Sequence, residues 1–265
     1  MRHWMAKGLW LAAFMGAMPL AANAEYKLRY PNIDEGEVEI EHNYSATFDK
    51  RQQNNGRQSS PTEIGIGVLP FWTVELEGEF SKEPGNNMRS SSPEGGSANK
   101  WSFDATTFEN YFMLTEPGKY WLDFAIFAEY SRVLHRADAD SVTLGGLFQK
   151  QDMKWLHTLN LYWEKEVGPN AGTADGFQYG WQTRYLLGPY FQPGVEIYGQ
   201  IDDLSHPGPF DAQQFRAGPM FAGSFSLKDI LGRGKLKYEA GYLFGMTGAT
   251  EQGTLRTQLE LEFPF

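Results

Sequence analysis

Four histidines follow residue 24, and their imidazoles are the side chains best suited to acid–base chemistry near neutral pH. Residues two positions apart share one face of a strand, so a His-x-Ser pair would let the imidazole take the hydroxyl proton. The positions two after His42, His135, His157 and His206 hold Tyr44, Ala137, Leu159 and Gly208. This spacing argues against a hydrolase built on one strand.

Other recognised chemical motifs are also missing from the sequence. The chain has no cysteine, which excludes disulfides, thiolate metal sites and cysteine nucleophiles. It contains no P-loop, no dinucleotide-binding glycine pattern and no HExxH motif. Acidic residues near His135 and His206 lack a recognised metal-ligand spacing, and we interpret them as solvated loops. We predict no catalytic, cofactor-binding or metal-binding residues and a protein that is not an enzyme.

The formal net charge of −10 is unsuited to nucleic-acid binding, so we expect no nucleic-acid partner. The acidic residues are arranged in a regular pattern along the sequence. Glutamates occupy alternate positions in 37–41 and again in 75–79. On strands, each triplet would line one face and create a negative potential that attracts cations.

Alternation in period two runs through most of the chain and predicts strands with two unlike faces. In 71–81, for example, Val74 and Leu76 alternate with Glu75 and Glu77. Twelve such runs predict an all-β fold, a single antiparallel transmembrane barrel. The runs are 36–48, 61–69, 71–81, 101–114, 120–132, 141–150, 154–166, 176–187, 190–202, 213–226, 235–246 and 254–265.

Long and short connections alternate between these runs, and only 227–234 is longer than the pattern requires. Long loops at one end and tight turns at the other are typical of outer-membrane barrels. Pro193 and Pro219 fall inside predicted strands, where proline removes a ladder hydrogen bond. We expect Pro193 near a strand start and Pro219 at a bulge or break.

Residues 1–24 have the organisation of an export signal. A basic start is followed by the apolar run 8–20 and by Ala22-Asn23-Ala24, which suits signal peptidase. We predict a signal peptide at 1–24 and a barrel domain at 25–265. Removing Arg2 and Lys7 with the signal would lower the formal net charge from −10 to −12.

Composition fits this interpretation. The mean hydropathy of −0.48 excludes a bundle of membrane helices, yet 15% of the residues are aromatic. Alternation explains both values, because one face of each strand would meet lipid and the other water. Aromatic residues concentrate near the predicted strand ends, as interfacial girdles require.

The last predicted strand alternates apolar and polar residues and ends at Phe265. It resembles the C-terminal strand of outer-membrane barrel proteins, in which the final aromatic residues are recognised by the barrel assembly machinery. The resemblance implies an outer-membrane location, contact with membrane lipid, and an assembly signal at Phe263 and Phe265. Pro264 departs from this pattern.

Three segments, 62–80, 108–130 and 235–265, also resemble a second group of proteins. Their Gly–aromatic strand pattern, as in Gly241-Tyr242-Leu243-Phe244-Gly245, is similar to the barrel family named for the MetA pathway of phenol degradation. Members of that family are regarded as transporter-like, so the resemblance implies a porin-like protein.

If the apolar face is outside, twelve acids and four bases line the lumen. A water-filled lumen of this kind would form a channel for passive diffusion of small solutes, preferring cations or neutral molecules. Alternatively, paired charges would fill the lumen of a non-conducting barrel that acts through its long loops. The predicted lining is Glu37, Glu39, Glu41, Glu75, Glu77, Glu79, Glu129, Glu164, Arg184, Glu196, Arg216, Lys237, Glu239, Arg256, Glu260 and Glu262.

Overall fold

Antiparallel strands form nearly all the regular structure in the computed structural model, which describes residues 26–31, 35–84, 99–134, 138–228 and 233–264. The predicted signal peptide at 1–24 and the terminal Phe265 lie outside these residues. No helix in the described ranges has the length and apolar character needed to cross a membrane.

Thirteen strand segments follow one another in the described residues. They are β1 (Glu37–Phe48), β2 (Gln58–Ser59), β3 (Thr62–Leu69), β4 (Trp72–Lys82), β5 (Trp101–Met113), β6 (Asp123–Val133), β7 (Asp140–Asp152), β8 (Trp155–Val167), β9 (Asp175–Tyr185), β10 (Gln192–Ile201), β11 (Gln214–Ser226), β12 (Lys235–Gly245) and β13 (Gly253–Pro264).

These segments close into a barrel. From β4 onward each strand pairs with the next one in sequence, and β13 pairs with β1 along its whole length, from Glu37 opposite Pro264 to Phe48 opposite Gly253. Both β2 and β3 lie between β1 and β4, and Pro61 stands in the gap between them. They therefore count as one interrupted strand, and the predicted twelve-stranded antiparallel barrel is confirmed.

The two faces of the barrel wall differ as alternation predicts. Ile64, Leu76 and Phe108 lie side by side on β3, β4 and β5, and each is about half exposed. On the opposite face of β4, Glu75 and Glu77 are buried. In an outer-membrane barrel, an outward apolar row of this kind faces lipid and the inward row lines the lumen. The fold is that of an outer-membrane barrel, in agreement with the predicted location.

The loop end of the barrel carries the long connections 49–57, 202–213 and 246–252. The turn end carries tight connections such as 70–71, together with the start of β1 and the end of β13. One boundary prediction was wrong at the turn end. The strand expected at 120–132 begins only at Asp123, so its connection is longer than the sequence pattern indicated.

Both prolines disturb the ladder where expected. Pro193 is the second residue of β10. On β11, the pairing with β12 is interrupted at Gly218 and Pro219, between Ala217 opposite Phe244 and Met220 opposite Gly241, and it resumes in the same register. Pro219 therefore marks a local break, with pairing kept only towards β10.

The lumen is not uniformly polar. Tyr111, Ala125, Phe127, Leu147 and Tyr162 form a buried cluster on the inward faces of β5 to β8. Phe127 packs edge-on against both tyrosines, with ring centroids 5.1 Å from Tyr111 and 5.3 Å from Tyr162. This inward apolar wall was not predicted from the sequence.

Candidate functional site in the barrel lumen

The side chains predicted to line the lumen lie on inward positions of their strands. Those that are buried are Glu41, Glu75, Glu77, Glu196, Arg216, Glu239, Arg256, Glu260 and Glu262. Those that are partly exposed are Glu37, Glu39, Glu79, Glu129, Glu164, Arg184 and Lys237. Their burial inside a barrel this wide has a specific cause, which is a segment of the chain running through the lumen.

Residues 26–31, here called the lumen segment, lie inside the barrel. Its first residue, Tyr26, packs against Tyr198, near the loop end, and the segment then descends to the turn end, where the chain enters β1 at Glu37. No strand pairing of the described chain includes these residues. The lumen segment is therefore held mainly by side chains of the wall.

Lys27 is the first cation of the lumen segment. Its ammonium nitrogen bonds to Glu63 and lies 3.4 Å from Glu41 and 3.8 Å from Glu75. All four side chains are buried. The three carboxylates come from β1, β3 and β4, so closure of the barrel brings them around one ammonium group.

Arg29 is the second cation, and Glu109 binds it in a two-point arrangement. The distances are 2.6 Å from Nη2 to Oε1 and 3.0 Å from Nε to Oε2. Nε also lies 2.9 Å from the hydroxyl of Tyr111. The guanidinium carbon stands 4.7 Å from the ring centre of Phe127 and 5.8 Å from that of Tyr162. The inward apolar cluster thus forms an aromatic wall against a charged group.

The wall also contacts the main chain of the lumen segment. The Arg29 amide donates to Asn160 Oδ1 at 2.7 Å, and Asn160 Nδ2 donates to the Arg29 carbonyl at 2.9 Å. Between the two cations, Leu28 is 1% exposed and packs with Tyr198 and Leu243. A Cβ atom on Gly180 would stand 2.9 Å from Leu28, so this glycine leaves the space that the leucine fills.

Towards the turn end, Tyr30 joins two wall groups of opposite charge. Its hydroxyl donates to Glu239 Oε1 at 2.5 Å and accepts from Arg184 Nη1 at 3.3 Å. Arg184 also bonds Glu239 directly at 3.0 Å. The bases from the second half of the chain therefore pair with acids, while acids from the first half surround Lys27 and Arg29.

A cavity of about 320 Å³ remains beside the lumen segment at the turn end. Glu37, Glu39 and Glu262 line it together with Lys235 and Lys237. Its lining is mainly polar and charged, whereas the middle of the lumen is occupied by the segment.

Two inward glutamates were missing from the prediction, Glu63 and Glu109. Both alternate with exposed apolar residues, as Ile64 and Phe108 illustrate, so the same period-two signal was present in the sequence. The structure also groups acids from separate strands. One group is Glu63, Glu77 and Glu109, and the other is Glu39, Glu260 and Glu262, each with carboxylate oxygens within 4.8 Å of one another.

At the loop end, Arg51 connects two loops on either side of the β1–β13 seam. It binds Asp49 through Nη2 at 2.6 Å and donates to the carbonyl of Thr250 at 2.6 Å. The hydrogen bonds from Arg51 hold the pKa of the Asp49 carboxyl below its ordinary value. The loops 49–57 and 246–252 are therefore fastened to each other.

The histidines that the structure describes lie away from the lumen wall. His42 is exposed and its Nδ1 lies 2.8 Å from Thr62 Oγ1. His157 stacks on Trp181, and His206 pairs with Asp203 in an exposed loop. His135 lies outside the described residues. These contacts are consistent with interfacial and loop roles.

Comparisons with known proteins agree on the fold. No family model matches the chain, and no curated protein matches it. Among solved structures, it is similar to an outer membrane channel from Pseudomonas putida F1, with a TM-score of 0.54, 13% identity, and coverage of 89% of this chain and 98% of that one. It is also similar to the NanC porin, with a TM-score of 0.52, 6% identity, and coverage of 86% of this chain and all of that one.

Proposed function

We propose that this protein is a passive outer-membrane channel for small cationic or neutral solutes, and that its lumen segment occupies the pathway at rest. Two proteins that share its fold, the Pseudomonas putida F1 channel and the NanC porin, are named as a channel and a porin. The proposal for this chain rests on its own lumen.

The observation that carries the proposal is the way in which the lumen segment is held. Side chains such as Asn160 and Glu109 bind it, and it has no place in the strand ladder of the described chain. A wall strand would have to break a row of backbone hydrogen bonds to move. The lumen segment can leave while the barrel wall keeps its pairing.

Charge supports a preference for cations. Lys27 and Arg29 offset part of the acidic wall while the segment is inside. Its departure removes both cations and leaves Glu41, Glu63 and Glu109 facing water. A lumen lined by one sign of charge and bounded by a low-dielectric wall concentrates counter-ions. Conductance and cation preference are therefore both expected to increase when the lumen segment leaves.

A filled, non-conducting barrel is the alternative, and one observation favours it. Arg256 and Glu196 form a buried ion pair inside the barrel, so the lumen narrows even beside the segment. Twelve strands lie between eight-stranded barrels, which side chains fill, and the larger porins with open channels. Such a barrel would act through the long connections at its loop end.

Conductance across a planar bilayer distinguishes the passive channel from the filled, non-conducting barrel. We expect small, brief current steps from the natural protein. Larger and longer steps are expected from a variant in which residues 26–31 are replaced by glycine and serine. In a KCl gradient, the reversal potential should show K⁺ preference, and more strongly in the variant.

The matched control replaces a surface pair, Glu116 and Lys119, with glutamine and methionine. This pair lies in the connection before β6 and has no part in the lumen, so its conductance should equal that of the natural protein. Folding of every variant is checked by heat-modifiable migration in gels. If the variant with residues 26–31 replaced by glycine and serine folds correctly and passes no current, the non-conducting barrel is established instead.

A further inference from the structure

We propose that the lumen wall around the segment is a binding site for an extended peptide of the pattern basic–apolar–basic, and that residues 27–29 are its built-in occupant. The inference deepens the proposed function by giving the class of solute that the channel recognises. Binding to the wall does not itself require conduction, so the two proposals can fail separately.

The first subsite takes an ammonium group. Glu41, Glu63 and Glu75 surround Lys27 from three strands, and an ammonium group has three donors to offer them. Glu63 is 1% exposed, and its second carboxylate oxygen has no hydrogen-bond donor among the described residues. The subsite therefore holds more acceptor capacity than Lys27 uses.

The second subsite is specific for a guanidinium group. Glu109 binds both Nε and Nη2 of Arg29, an arrangement that fits a planar fork of donors and that a lysine cannot reproduce. Phe127 and Tyr162 lie against the guanidinium carbon. Aromatic contact combined with two-point carboxylate binding distinguishes arginine from lysine.

Main-chain recognition joins the two subsites. Asn160 accepts from the amide of Arg29 and donates to its carbonyl, which makes both hydrogen bonds of one residue of an extended chain. Leu28 occupies the space above Gly180, beside Leu243. The wall therefore recognises an amide backbone, an apolar side chain and two different cations in a fixed order.

A free peptide with this pattern would find the same partners once the segment has left. While the segment is in place, its tethering gives it a high effective concentration, so a free peptide competes poorly. This relationship predicts binding that depends on removal of the segment. Amines such as spermidine present cations without a guanidinium or an amide, so they should bind more weakly.

The test uses the full barrel with residues 26–31 replaced by glycine and serine, purified in detergent. Calorimetry should show binding of acetyl-Tyr-Lys-Leu-Arg-Tyr-amide to this variant and at least about tenfold weaker binding to the natural protein. Exchange of lysine and arginine within the peptide should weaken binding about tenfold, because the two subsites differ. Glu109→Gln in the same background should also weaken it, whereas Glu116→Gln should not.

The proposal would be overturned if the original peptide and the peptide with lysine and arginine exchanged bound equally well. It would also be overturned if the correctly folded variant with residues 26–31 replaced bound neither peptide. Conductance without peptide binding would support the channel and contradict the peptide-binding site. Peptide binding without conductance would support the site and contradict the channel.

A second variant keeps the proposal testable if the variant with residues 26–31 replaced does not fold. Arg29→Ala keeps the lumen segment and empties only the guanidinium subsite. Methylguanidinium should then raise the unfolding temperature more than methylammonium at equal concentration, with no such difference for the natural protein. Identical effects of the two ions on Arg29→Ala would overturn the proposal.

Discussion

Arg256 on β13 binds Glu196 on β10 inside the barrel, with Nε 2.8 Å from one carboxylate oxygen and 2.9 Å from the other. Two strands, β11 and β12, separate these residues along the wall. Arg256 also donates to Glu239 on β12 at 2.8 Å. One arginine therefore fastens three strands from within the lumen.

Replacing this arginine should destabilise the barrel strongly. Arg256→Met leaves Glu196 and Glu239 buried beside each other without their shared cation, at a cost of about 3–5 kcal/mol. The double variant Arg256→Met with Glu196→Gln should recover part of the loss, because one buried charge is removed. The measurement is the denaturant midpoint in detergent or lipid.

A surface variant provides the comparison for this effect. Lys119→Met breaks an exposed pair with Glu116 and should cost about 0–1 kcal/mol. Equal losses for Lys119→Met and Arg256→Met would mean that the buried pair contributes little to the barrel.

Ion selectivity should depend on the glutamates of β4. Changing Glu75, Glu77 and Glu79 together to glutamine removes inward charge without changing side-chain size greatly, so K⁺ preference should fall. The reversal potential in a KCl gradient measures this preference, in the background in which residues 26–31 are replaced by glycine and serine. Glu116→Gln changes an acid outside the lumen and serves as control. Unchanged selectivity in the triple variant would show that these side chains do not face the conducting path.

Lipid contact should be deepest at the middle of β4. Leu76 is 56% exposed and lies between Ile64 and Phe108 in the outward row. Leu76→Arg should cost about 2–4 kcal/mol, because arginine near the bilayer midplane loses its hydration. Phe71→Arg, in the adjacent turn, should cost about 0–1 kcal/mol. Folding titrations into lipid vesicles test the difference, and equal costs would contradict the assigned outer face.

The break at Pro219 depends on the glycine before it. A Cβ atom on Gly218 would stand 1.8 Å from the carbonyl oxygen of Tyr242, so the backbones of β11 and β12 would have to separate. Gly218→Ala should cost about 1–3 kcal/mol, as overpacking usually does. Gly188→Ala meets nothing within 4 Å and should leave the unfolding midpoint close to that of the natural protein. Equal midpoints for the two variants would show that the strands yield easily at Gly218.

Much of this architecture follows from period-two alternation. It predicts the strands, their closure and the inward glutamates of β4, because each strand has one lipid-facing and one lumen-facing side. Pro193 and Pro219 likewise disturb the ladder for reasons that are local to the sequence.

The lumen segment could not be predicted in the same way. Residues 26–30 alternate apolar and basic side chains as a strand does, so periodicity alone does not distinguish a segment inside the lumen from a strand of the wall. The partners of the segment also lie far away along the chain, as Arg29 and Asn160 show. Phe127 shares a strand face with Glu129, which was predicted to line the lumen, but that face alone does not predict a cation beside the ring. An aromatic residue inside the lumen is explained only once the guanidinium beside it is known.

The position of the lumen segment also bears on how the barrel assembles. It directly precedes β1, whose final partner, β13, is the last strand of the chain. The segment can already rest on the concave side of the growing sheet before the seam between β1 and β13 closes. Contacts of Lys27 and Arg29 with β3, β4 and β5 require only an open sheet. The segment's charges are therefore available to guide the curvature of the sheet before closure.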